Sequence, residues 1–292
     1  MQKIHYINAF GESVTFSGET PVLLRSVSGL SRPELEIVHV QTAHQPGAMI
    51  SRLHLPMRRV QIRFDILPQE NREAFYAMRM QMERVMSGSR AMREGQTGML
   101  VYENDAGKWR IGAVPEGSIV YGRRMGHSAA DNMAVFLCPN PYLLSDTKDS
   151  VQMRMCSGVL MLPTRLPLSI GTRRFKANLV NRGTADAAVT MTIYGTGETP
   201  EVVNHTTGAR IAVSRQIAVG EKLVISTNPM ALSCTLIRRD GSEEDAFGYL
   251  DPSLAVSVFV LIPGSNEIEY RPSVVSTGSR VEIEWQSCYE GV

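Results

Sequence analysis

The sequence predicts a mainly β protein of two domains, the first carrying one α-helix and the second built from short strands. Three observations predict it. Alternating apolar and polar residues recur along the chain, as where Val60, Ile62, Phe64 and Ile66 alternate with Gln61, Arg63 and Asp65, which is the period of a half-buried strand. One stretch, residues 71–85, holds a convincing helical period instead. Near the middle, an apolar run ending at Leu137 meets Pro139 and Pro141. Each proline fixes its own φ, lacks a donor and pushes the preceding residue out of the helical region, so Cys138 and Asn140 are driven extended. A chain of 292 residues is long for one core, and two domains of roughly 150 residues each are the natural expectation. We place the boundaries at 1–138 and 148–292, with a Pro-rich linker over 139–147 built on Pro139, Asn140 and Pro141. The competing reading is a rigid loop within one domain.

In order, residues 4–7 and 13–16 read as a hairpin around Ala9-Phe10-Gly11-Glu12, and 22–27 as a third strand. Residues 34–40 alternate again. Then the pattern fails over 41–55, where His44, a Pro46-Gly47 turn, Met49, Ile50, Arg52, Leu53 and Leu55 follow no sustained period. A long irregular excursion in a compact domain is usually functional or disordered. Its apolar content argues against disorder, because such side chains need something to cover them. The sheet resumes at 59–66. In the helix, Phe75, Met78, Met82 and Val85 form one apolar stripe, and Ser87-Gly88-Ser89 is expected to end it. Residues 98–102 and 108–114 read as a hairpin, and 119–123 and 133–137 complete the sheet. Beyond the junction the expected strands are 157–162, 175–180, 188–194, 200–204, 209–213, 222–226, 233–238, 254–261, 267–270 and 279–285. Turn-forming clusters separate them at short spacing, the signature of an antiparallel sandwich or jelly roll.

Charge excludes some functions. Net charge is +1, and the residues up to Asp146 hold 16 basic and 14 acidic side chains of the 30 and 29 in the chain. Without a basic face, sequence-specific nucleic-acid binding is disfavoured. Of the basic residues only Lys3, Lys108, Lys148, Lys176 and Lys222 are lysine. Arginine excess fits a chain that buries surface against partners, and a codon bias equally. No stretch approaches the ~18 apolar residues of a membrane span and no signal-peptide segment opens the chain, so no membrane association and folding in the cytoplasm are expected. Cys138, Cys156, Cys234 and Cys288 lack metal-site spacing and read as buried thiols.

No constellation carries chemistry. Gly126-His127-Ser128-Ala129-Ala130 approximates a nucleophile elbow but lacks the strand before and the helix after it, and reads as a polar turn. Glu243, Glu244 and Asp245 form an acidic loop without a desolvating pocket. The six histidines show no helical i, i+4 pair. We therefore expect no catalytic residue, no cofactor and no metal.

With those residues laid out, the chain resembles the distal tail protein family of tailed bacteriophages. Three stretches carry the likeness: Ser51-Arg52-Leu53 with Pro56 and Arg58 before the 60–66 strand; Phe136-Leu137-Cys138-Pro139-Asn140-Pro141-Tyr142; and Asn204-His205-Thr206-Thr207-Gly208 followed by Phe259, Pro263-Gly264 and Asn266. The resemblance implies a tail-tube-like β-sandwich with one helix and a belt loop, then a galectin-like β-sandwich. It implies a structural hub joining the tail tube to the tip or baseplate, as a homohexameric ring whose channel passes phage DNA. Such a protein belongs to the virion tail and is assembled in the host cytoplasm. The belt, read on His44, Pro46, Gly47, Met49, Ile50, Arg52, Leu53, Leu55 and Arg58, would reach a neighbouring subunit, with Arg52, Arg58 and Arg59 pairing to carboxylates across the boundary. The alternative is a carbohydrate-binding sandwich that contacts the host surface, for which Trp109 and Trp285 are the available tryptophans.

Overall fold

The computed structural model describes residues 2–18, 21–41, 46–154, 175–195, 199–273 and 279–292. By its internal contacts the chain divides into two units, Met1–Asp146 with Tyr289–Val292, and Thr147–Cys288. Both are mainly β.

The first unit contains β1 (Lys3–Ile7), β2 (Ser13–Phe16), β3 (Val22–Ser28), β4 (Glu36–Val40), β5 (Met49–His54), β6 (Arg58–Ile66), α1 (Arg72–Val85), β7 (Met92–Arg93), β8 (Gln96–Asn104), β9 (Gly107–Pro115), β10 (Arg123–Met125), β11 (Ser128–Cys138) and β12 (Leu143–Ser145). Strands run in the order β2-β1-β8-β9-β11-β6-β3, with β7, β10 and β12 at the margins. The sheet folds over where β9 meets β11 at Pro115–Phe136 and Val114–Leu137. Its two halves then face each other: Tyr6 packs on Phe136 at 4.7 Å between ring centroids and Phe16 on Phe64 at 5.1 Å. The alternation read in β6 is the cause, since Val60, Ile62, Phe64 and Ile66 are all buried.

Helix α1 begins at Asn71, whose side chain accepts from Ala74 N at 2.8 Å, satisfying one of the first-turn donors that a helix leaves open. Phe75, Met82 and Val85 are buried and Met78 packs partly against the same core. The helix ends at Met86, and Gly88 opens a 3₁₀ turn instead of capping the helix. Residues 119–123, expected as a strand, supply one bridge, Val120 to Met133, and regular pairing waits until β10. Gly122 explains the delay, because its backbone lies against Ala130 and Asp131 too closely for a side chain.

The second unit contains β13 (Asp149–Arg154), β14 (Phe175–Asn181), β15 (Ala187–Tyr194), β16 (Glu201–Asn204), β17 (Arg210–Ala212), β18 (Lys222–Ser226), β19 (Ser233–Ile237), β20 (Glu243–Asp245), β21 (Val260–Leu261), β22 (Gly264–Arg271) and β23 (Arg280–Trp285), and β24 (Cys288–Tyr289) carries the chain back into the first unit. Two antiparallel sheets form it, β13-β23-β15-β18-β19-β20 and β14-β22-β16-β17. Met191, Ile193, Leu223, Ile225 and Ile283 from one and Leu179, Val202, Ile268 and Tyr270 from the other are buried. Trp285 Nε1 donates to Val180 O at 3.2 Å. The strand expected over 254–261 is broken by a 3₁₀ turn, Val256–Val258, before the two-residue β21. Its buried residues Val256 and Phe259 stand three apart, the repeat of a 3₁₀ turn, while Leu261 follows at strand spacing. The acidic loop at Glu243 is the short edge strand β20. The strand expected at 157–162 lies outside the described residues.

Three buried cysteines give a direct test of these cores. Burial pushes the thiols of Cys138 and Cys234 up to about 12 and that of Cys288 to about 11. Thiolate, not thiol, is the nucleophile. In a Cys156→Ser variant a disulfide reagent at pH 8 is expected to titrate none of these thiols in the native protein and all three in denaturant. Rapid native reaction would contradict the packing.

Candidate functional site

Within the excursion expected to be irregular over 41–55, Met49–His54 form the strand β5. β4 and β5 pair antiparallel as a two-stranded ribbon separate from the other sheets, and each of their residues is exposed. Met49 is 77% exposed, Ile50 60%, Leu53 57% and Val40 57%. An isolated ribbon of this kind is marginal by itself, and exposed edges of this length invite pairing with another chain.

The register explains why no period was visible in β5. Ile37 pairs with Leu53 and Val38 with Arg52, but His39 pairs with Ile50, so Ser51 is an extra residue in β5. Such a bulge shifts the alternation of one strand against the other. Residues directly opposite in an antiparallel pair share a face, so the bulge gathers Ile37, His39, Ile50 and Leu53 on one face. Val38, Val40 and Met49 lie on the other with Glu36, Arg52 and His54.

Among the belt residues, His44 lies outside the described residues. Pro46 and Gly47 form an exposed bend, with Gly47 at φ +92°. Met49, Ile50, Arg52 and Leu53 are exposed and Leu55 is half-buried. Arg58 departs from the expectation. It is 3% exposed, and its guanidinium is consumed inside its own unit. Nε donates to Pro141 O at 2.6 Å, Nη1 to Gly29 O and Ser31 O at 2.8 Å each, and Nη2 to Glu290 O. Burial, offset in part by Cys138, lowers its pKa. It is therefore unavailable for a carboxylate on another subunit. Arg59, by contrast, is exposed and bonds Glu116 at 2.7 Å.

Arg58 makes the root of the arm. Gly29 and Ser31 precede β4, and the chain end returns to the same place: Val292 N donates to Leu30 O at 3.2 Å and Arg32 pairs with Glu290 at 3.2 Å. Pro139 and Asn140 follow β11 without regular structure. Asn140 Oδ1 accepts from Tyr142 N at 3.0 Å, and Pro141 gives its carbonyl to Arg58. Gly29 has φ +88°, and a Cβ there would stand 2.0 Å from Arg59 O. Left-handed strain plus a backbone clash make Gly29→Ala expensive. We expect a loss of roughly 2–3 kcal/mol, read by urea denaturation; an unchanged midpoint would contradict this root geometry. Neither the clasp nor the returning tail was foreseen, because backbone carbonyls carry no sequence signature.

Among the described residues no group of His, Cys, Asp and Glu could hold a metal ion, and no helix is long and apolar enough to cross a membrane. Gly126 and His127 form the turn of the β10–β11 hairpin, where Ser128 Oγ donates to Met125 O at 2.8 Å. His205 bonds Glu269 at 2.6 Å beside Arg271, and Glu244 pairs with Arg238.

No protein-family model and no curated protein matches the chain. Solved structures do. The SPP1 Dit (gp 19.1) protein, described as a paradigm of the hub adsorption apparatus in phages infecting Gram-positive hosts, superposes with a TM-score of 0.66 at 12% identity over 99% of both chains. A chain of the phage P2 baseplate in its activated conformation with Ca gives 0.55 at 10% identity, over 100% of this chain and 99% of that one. The same baseplate with Sr gives 0.54 at 11% identity. At these identities the likeness is one of fold.

Proposed function

We propose that this chain is a structural subunit of a phage tail hub, forming a homohexameric ring that joins the tail tube to the tail tip or baseplate. The observation that carries this reading is the length of the likeness: two units, in order, align end to end with a hub protein and with a baseplate chain. The exposed arm supports it from physics. Apolar side chains on both faces of a ribbon leave water only against another surface, and a head-to-tail contact of one kind closes into a ring. Phage DNA passes through the channel without base-specific binding, in keeping with a net charge of +1. The protein works in the virion tail, assembled in the host cytoplasm, and it is not an enzyme. The sugar-binding reading is weaker because Trp285 is 6% exposed, and Trp109 is half-buried and packs with Tyr102 and Tyr289 at 6.1 Å each.

The test is mass in solution with negative-stain imaging. Six-fold rings are expected. A protein that stays monomeric at high concentration would overturn the ring.

A further inference from the structure

We infer that the outer face of the β13-β23-β15-β18-β19-β20 sheet, in the second unit, binds phosphate groups carried in series on a non-nucleic chain, through Arg154, Arg280 and Lys222. The inference goes beyond the ring proposed above and does not depend on it.

Strand register lays these residues in one row. Arg154 of β13 stands directly opposite Arg280 of β23, Arg280 opposite Tyr194 of β15, and Tyr194 opposite Lys222 of β18. Directly opposite residues share a face, and Met153, Val281, Ile193 and Leu223, one residue along each strand, are buried. The row therefore looks outward, and its three cations are exposed. Setting Arg154 against Arg280 costs the fold stability, because like charges directly opposite in a sheet repel. None of the three cations has an ion-pair partner among the described residues. Carboxylates on the same face do not relieve them. Glu282, one row behind, accepts from Tyr194 Oη at 3.2 Å, Glu284 lies a row further back, and Glu243 lies beyond Lys222, opposite Ile237 at the sheet's edge.

Tyr194 readies the row for an anion. Its ring centre lies 3.8 Å from the Arg280 guanidinium and 5.5 Å from Lys222 Nζ, both within cation–π reach. A guanidinium resting on a ring is held in place while its N–H fork stays available, and that fork takes a phosphate through two parallel bonds. Adjacent strands are about 4.8 Å apart, so Arg154 and Arg280 reach one phosphate. Lys222, two strands from Arg280 and so about 10 Å away, reaches a second. A lone phosphate cannot satisfy the whole row, and a chain of phosphates can. Bases find no platform here: Arg280 covers a face of the row's one aromatic ring, and single-stranded nucleic acid is held by stacking on such faces.

Calorimetry on the intact protein at fixed ionic strength tests it, with orthophosphate, tripolyphosphate and an oligothymidylate of equal charge as probes. Tripolyphosphate is expected to bind at least about tenfold tighter than orthophosphate, since its second contact is intramolecular, and tighter than the oligothymidylate. Arg154→Gln is expected to weaken tripolyphosphate binding about tenfold or more and, by removing the like-charge pair, to melt no earlier than the parent. Arg123→Gln, which removes an exposed arginine of the first unit, should leave binding unchanged. Tripolyphosphate bound no tighter than orthophosphate would mean an adventitious ion only. An equal loss in Arg123→Gln would reduce the effect to net charge, a tighter oligothymidylate would make the ligand a nucleic acid, and an Arg154→Gln variant that melts early would show that the fold itself uses the residue. Each of these results overturns the assignment and leaves the ring untouched.

Discussion

Serine at Ile37, Ile50 and Leu53 together is expected to abolish assembly while leaving the folded subunit as stable as before. The two halves of that result have separate causes. Folding does not use these side chains, which are 51%, 60% and 57% exposed, and substitutions at such positions usually change stability by no more than about 0.5 kcal/mol. Association in the proposed ring does use them. Fully burying an aliphatic side chain of this size is worth roughly 1.5–3 kcal/mol, and about half of that remains to be gained here, so three per contact amount to about 2.5–5 kcal/mol. At 1.4 kcal/mol per tenfold, that is roughly a 10²- to 10³-fold loss in the association constant of each contact. A closed ring, in which every subunit makes two such contacts, cannot survive it at micromolar concentration. Light scattering reads the assembly and a thermal melt reads the fold. Rings that persist would remove the arm from the interface, and a lowered melting temperature would show that the ribbon is packed within its own subunit.

The same exposure explains why the arm was the least legible part of the fold. Alternation is a record of burial on one side, and β6 and α1 were read correctly because each has a buried side: Val60, Ile62, Phe64 and Ile66 in one, Phe75, Met82 and Val85 in the other. The ribbon has none. With the Ser51 bulge added, the apolar residues of β5 follow neither strand nor helix, although the alternation of β4 and the Pro46-Gly47 turn were plain. Arg58 was misjudged for a different reason. In sequence it is half of an Arg-Arg pair after a proline, which reads as surface. Its true partners are carbonyls of residues 29, 31, 141 and 290, positions that only tertiary structure brings together. In the second unit the sheet-forming runs were legible, but 254–261 was apolar enough to hide a 3₁₀ turn inside an apparent strand.

Replacing Arg58 with methionine should be the most destabilising single change in the first unit. Methionine fills much of the arginine's volume, so the expected effect comes from hydrogen bonding and not from a cavity. Four carbonyls, those of Gly29, Ser31, Pro141 and Glu290, lose their donor at once. A buried polar group left unsatisfied costs about 1–3 kcal/mol. Some of these oxygens regain water as the chain end lifts away, which brings the net to about 3–5 kcal/mol, the range for breaking a buried charged interaction. Lysine keeps the charge but gathers its donors at one point, where the guanidinium spreads them in a planar fork. Arg58→Lys should therefore recover only part of the loss. The effect has an address as well as a size. Amides of residues 289–292 and 29–32 should exchange faster in Arg58→Met, since the chain end is held beside Leu30 and Ser31 by this side chain and by the Arg32–Glu290 pair. The transition of the second unit, which shares none of these bonds, should not move. Hydrogen exchange with chemical denaturation separates the outcomes. A loss below about 1 kcal/mol, or a tail that stays protected, would mean that Arg58 is only a neighbour of the arm's root and not the group that holds it together.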